Sequence, residues 1–114
     1  MPAAHKPVFV APLAQRDVDE AAAHYQDEAG EEVALRFLLA VGDALALLSR
    51  NPGIGSPRYA TELKMPGVRC WPLRPWPQLV FYVERERTVD VFRVLHGARD
   101  VPATLGEAKP GAPP

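Results

Sequence analysis

A chain of 114 residues has room for one domain with an adequate but not generous core. Its composition, 47% hydrophobic and 24% charged, is ordinary for a globular protein, and no apolar stretch reaches the roughly 18 residues needed to span a bilayer. A formal net charge of −1 supplies no general excess of cations for phosphates, which argues against nucleic acid as the main target. A single cysteine, Cys70, excludes an internal disulfide and a cysteine-based metal cluster.

The charge is unevenly spread. Residues 1–63 hold five Lys/Arg against nine acids, whereas residues 64–100 hold seven against four. The first half should therefore be acidic and the second mildly basic. The opening MPAAHKP lacks the apolar core of a secretory signal, so a cytoplasmic location is expected. No cofactor and no metal are expected.

Val8-Phe9-Val10-Ala11 reads as a first strand, closed by Pro12 and preceded by a disordered lead-in at Lys6-Pro7. From Leu13 the period becomes helical, with Leu13, Val18, Ala21, Ala22 and Tyr25 on one side and acids on the others. Gly30 is the expected stop. Glu31-Glu32 opens a second helix, where acids suit the positive end of the helix dipole. Its apolar stripe is Ala34, Phe37, Leu38, Val41, Leu45 and Leu48, and Asn51-Pro52 ends it. Gly42, unfavourable inside a helix, is expected to mark close packing. A link of two or three residues makes the pair an antiparallel hairpin.

Residues 53–67, with two further prolines and three glycines, read as a loop. Val68 to Arg74 alternates as a strand, demoted to an edge by Pro72. A turn at Arg74-Pro75-Trp76-Pro77 leads into Leu79-Val80-Phe81-Tyr82-Val83, a strand rich in β-branched and aromatic residues. Glu84 to Arg87 is a charged turn. Val89, Val91 and Phe92 with Val94 and Leu95 form the last strand, from whose apolar set Asp90 and Arg93 fall away. Both late strands are too apolar to have a wet face, so they belong in the middle of the sheet, with the first strand beside the third or fourth. The expectation is an α+β fold of order β-α-α-β-β-β over residues 1–105, its helix hairpin on one sheet face, and a disordered tail at 106–114.

Five pieces of the chain carry a family pattern: Ala14 to Tyr25; Leu48 to Gly55 (LSRNPGIG); Gly67-Val68-Arg69; Leu79 to Tyr82 (LVFY); and Arg93 to Asp100 (RVLHGARD). None is specific alone, but their order and spacing are. Over about residues 8–100 the chain resembles the toxins of the RelE/ParE superfamily, from type II toxin–antitoxin systems, and the ParE branch most closely. The resemblance implies the same β-α-α-β-β-β order. It also implies a prokaryotic growth-inhibiting toxin neutralised by a small antitoxin encoded beside it. Two mechanisms occupy this scaffold: RelE-type members cleave messenger RNA on the ribosome, and ParE-type members block DNA gyrase. Fold alone does not choose between them.

Metal-free RNA cleavage needs a base, an acid and cations for the charged phosphorane. Here Arg69 stands where the first basic strand residue of the nucleases is expected, but Trp71 and Gln78 occupy positions where further cations would help. Arg69, His96 and Arg99 are the candidate catalytic set for a nuclease. For a gyrase inhibitor, which needs a complementary patch and no proton-transfer pair, the candidate partner-binding residues are Arg69, Trp71, Arg74, Arg93 and Arg99. The first reading is the gyrase-binding toxin. The alternatives are the ribosome-dependent endoribonuclease and a non-toxic relic that only binds an antitoxin. The antitoxin should lie across the toxin as a helix in an apolar groove or as an added strand. Each residue also has a structural reading: Arg69 holding a loop, Tyr82 in the core, Arg93 and His96 with Asp100 tying down the last strand, Trp76 capping the core, and Cys70 inert.

Overall fold

A computed structural model describes residues 5–62, 64–97 and 101. In chain order it contains β1 (Val8–Val10), α1 (Pro12–Ala29), α2 (Glu31–Arg50), a 3-10 turn (Pro52–Ile54), α3 (Arg58–Glu62), β2 (Val68–Pro72), β3 (Gln78–Glu84) and β4 (Val89–His96). The expected order is present. Arg99, Asp100 and the 106–114 tail lie outside the described residues.

Pro12 opens α1, where its missing N–H leaves no intrahelical bond unmade. The helices are joined by Gly30 alone, a shorter link than the expected two or three residues. Its φ of 95° lies in the left-handed region that favours glycine. Its N–H donates to the Gln26 carbonyl at 3.0 Å, and its own carbonyl accepts from Ala34 N at 3.2 Å, so one residue closes α1 and starts α2. α2 buries Ala34, Phe37, Val41, Ala44 and Leu48. This strict 3-4-3-4 spacing includes Ala44 where the expected stripe had Leu45, which is only half-buried against the core, and Leu38 stands at the exposed rim, as does Leu13 on α1. Gly42 is exposed, and a Cβ built there would touch nothing within 4 Å, so close packing is not its reason.

The four strands form one mixed sheet in the order β1-β4-β3-β2. β1 runs parallel to β4, and the other pairs are antiparallel, which puts the two apolar strands in the centre. Phe81 faces Arg93 while Tyr82 faces Val91, so Phe92 is the extra residue of a bulge. This explains the broken alternation of the last strand. Val89, Val91 and Val94 pack toward the helices, whereas Phe92 and Leu95 join the opposite face. That opposite face is also covered, as two strands too apolar for a wet face require, but by elements downstream of α2 that read as loop in the sequence. Met65, Val68, Cys70, Phe81 and Val83 form a second core with Val101, roofed by Tyr59 of α3. The Tyr59 and Phe81 rings meet edge-on, 5.5 Å between centroids. Lys6, expected in a loose lead-in, is tied down: its N–H donates to Ser49 O at 3.1 Å and its Nζ reaches Glu84 Oε2 at 2.6 Å. No helix among the described residues is long and apolar enough to cross a membrane.

Candidate partner-binding site

Three of the motif pieces converge on one knot. The Tyr82 hydroxyl, at the end of LVFY, donates to the Pro52 carbonyl at 2.7 Å and accepts from Gly55 N at 2.8 Å. Arg69 Nη1 donates to the Gly55 carbonyl at 2.8 Å. A Cβ on Gly55 would drive into the Tyr82 ring and come within 2.9 Å of the Cys70 carbonyl, so NPGIG needs glycine there. Burial pushes the Tyr82 phenol above its ordinary value of 10.0, against smaller opposing effects from Gly55 N–H and Arg69. Tyr82 is both core and buckle, and Arg69 holds the loop.

Arg93 is held in a second place. Its Nε and Nη2 donate to the two carboxylate oxygens of Asp17 on α1, at 2.8 and 3.0 Å, and only 12% of its side chain is exposed. Beyond it, Asp17, Glu20, His24, Gln78 and His96 line a polar hollow of about 290 Å³. Gln78 is 7% exposed. It is bound to the Tyr25 hydroxyl, donating from Nε2 at 3.1 Å and accepting at Oε1 at 3.3 Å.

Trp71 and Arg74 belong to a third place. With Ala40, Asp43, Ala44 and Leu47 of α2 they line a hollow of about 510 Å³ between that helix and the sheet edge. A neighbouring hollow of about 530 Å³ shares Ala40 and Asp43 and adds Arg36, Leu39, Pro75 and Trp76, so the two make one groove along α2. Trp76 is anchored from beneath by edge contacts to Tyr25 and Phe37, with centroids 4.9 and 5.3 Å apart. Leu39 stands 67% exposed on the groove's outer wall.

The structure thus distributes the candidate residues and does not gather them. Arg69 pairs in register with Tyr82, and His96 with Gln78, four residues farther along β3 and on the other side of it. That separation is on the order of 15 Å between backbones. Cys70, buried in the second core, has a thiol pushed above 9.0 by burial, partly offset by Arg58. Among the described residues no group of three or more His, Cys, Asp or Glu could hold a metal ion. The sequence reading missed Asp17 as the Arg93 partner and the α2 wall of the groove. Leu35 and Leu39, spaced i,i+4 and outside the core stripe, were the available signal for that second apolar side.

A strand, a tight helix hairpin and a three-strand meander define an α+β domain with an open surface groove and dispersed cations. The family model described as the ParE toxin of type II toxin–antitoxin system, parDE, matches residues 8–101, and the chain belongs to that family. Membership implies an antitoxin partner. Among solved structures, the chromosomal ParDE TA system from P. aeruginosa is similar in fold, with TM-score 0.70 at 23% identity, over 82% of this chain and 98% of that one. Comparison with the curated proteins finds no match.

Proposed function

We propose that the chain is a bacterial growth-inhibiting toxin that acts in the cytoplasm by binding DNA gyrase, and that an antitoxin neutralises it. The carrying observation is the separation of Arg69 from His96, with Arg69 spent on the Gly55 carbonyl and Arg93 on Asp17. A general base and the cations that stabilise a phosphorane must converge on one phosphate within hydrogen-bond reach. Inhibition by binding has no such requirement. Trp71 and Arg74, on an open surface, suit a protein partner, and Arg99 completes the proposed set from outside the described residues. The test is induction in a bacterial host combined with a gyrase supercoiling assay on the purified protein. Blocked supercoiling with intact messages is the expected result. Codon-associated cuts in translated messages, abolished by His96→Ala, would establish the endoribonuclease instead. Normal growth on induction would leave only an antitoxin-binding relic.

A further inference from the structure

α2 carries apolar residues on two sides. Opposite its buried stripe, Leu35, Leu39, Gly42 and Ala46 recur at helical spacing and all are exposed, Leu35 by 51%. With about 100° of turn per residue they form one outward ridge. Single exposed leucines are ordinary, but leucines aligned along one helix face mark a surface that another molecule covers. A Cβ built on Gly42 meets nothing within 4 Å, so nothing inside the fold offsets that glycine's cost in helix stability. Along one flank of the ridge stand Glu32, Arg36, Asp43 and Arg50, alternating in sign and all exposed. None of the four makes an ion pair among the described residues, unlike the charges paired elsewhere.

This pattern is complementary to itself. A two-fold axis crossing the helix sets the charged flank against the same flank of a second copy, running in the opposite direction. With that axis between Leu39 and Ala40, residue 36 of each copy lies level with residue 43 of the other, so the Arg36–Asp43 contact forms twice. Arg50 then stands about 4.5 Å from the level of Glu32, a gap its long side chain spans. Leu35 comes level with the space between Gly42 and Ala46 of the second copy, where the missing side chain leaves room for it. A parallel pair would set the charged flank against Leu38 and Leu45 instead. We infer that two copies of this chain pair through the outward ridge of α2, antiparallel about a two-fold axis near Leu39 and Ala40. One helix against one helix buries less than the roughly 1,200 Å² of a stable complex, so the dimer is reversible, with a dissociation constant on the order of 10 µM. This association is independent of the target that the toxin engages.

The experiment is sedimentation equilibrium of the purified full chain across about 1 to 300 µM, with circular dichroism melts to confirm that each variant folds. The variants are Leu35→Glu, Gly42→Gln, Arg36→Glu, Asp43→Arg, the double Arg36→Glu with Asp43→Arg and, as a control off the ridge, Leu13→Glu on α1; every position is exposed. Wild type should pass from monomer to dimer as concentration rises. Leu35→Glu and Gly42→Gln should each weaken the dimer by about tenfold or more, since a charge or a bulk then enters the ridge. Arg36→Glu and Asp43→Arg should each weaken it by about tenfold, because symmetry makes one substitution act at two contacts. The double variant restores both contacts with signs exchanged, and should return to within about threefold of wild type. Leu13→Glu should change the constant by less than about twofold. A chain that stays monomeric throughout overturns the dimer, as does a dimer that Leu35→Glu leaves intact or Leu13→Glu disrupts. A double variant no better than either single overturns the antiparallel pairing.

Discussion

Asp17 and Arg93, 76 positions apart in the chain, meet in a two-pronged ion pair that also accepts the Val94 N–H at 3.0 Å. The pair joins the first helix to the bulged strand, and its side chains are only 10% and 12% exposed. Asp17→Ala leaves a nearly buried guanidinium without its carboxylate, and should cost about 3–5 kcal/mol in urea unfolding. Asp17→Ala with Arg93→Met should recover much of that loss. Equal destabilisation in the single and double variants would mean that the pair is not what binds α1 to β4.

The Tyr82 knot predicts an asymmetry between two glycines of one motif. Gly55→Ala forces the new methyl into Tyr82, whereas Gly53→Ala places it in open space. The first should lower the melting temperature by several degrees and the second should leave it nearly unchanged. Tyr82→Phe removes the partner of Gly55 N and Pro52 O together, at about 1–3 kcal/mol. Melting curves of the three variants check the order.

Burial raises both Tyr82 and Cys70 above their ordinary values of 10.0 and 9.0, so the fold prefers their protonated forms. For each, the stabilisation is complete below the unfolded-chain value and is lost as pH rises through the higher folded value. Stability should therefore fall from about pH 9 upward, and Cys70→Ala should flatten the first part of that fall. The same burial predicts that iodoacetamide labels Cys70 slowly in the native protein and at a free-thiol rate in urea.

Leu48 and Leu39 share one helix and differ in surroundings, at 0% and 67% exposed. Leu48→Ala should cost about 2–5 kcal/mol, because a cavity opens against the sheet. Leu39→Ala should stay within about 0.5 kcal/mol, as surface changes do. Chemical denaturation separates them.

Local signals made most of the fold legible. Glu31-Glu32 and Asn51-Pro52 bracketed α2, and the polar turn between two apolar runs marked the central hairpin. The short helix Arg58–Glu62 was not legible, because five residues carry no period, so the apolar strands showed that the second face must be covered but not what covers it. Leu38 and Leu45 look like core residues by size, but the helical angle turns them toward the rim and buries Ala44 instead. Arg69 and Arg93 stood out as residues of interest, but their partners are a carbonyl 14 residues away and a carboxylate 76 away. No spacing rule spans such gaps, so a cation spent inside the fold looks in sequence like one offered to a ligand.

Gly30 leaves the two long helices no slack. One residue inserted into that joint would turn all of α2 by about 100°. Phe37, Val41 and Leu48 would swing away from the strands they now cover, and Leu39 would leave the groove. Evolution can lengthen the loops of this domain far more freely than this single hinge, and an alanine placed just after Gly30 should abolish folding outright.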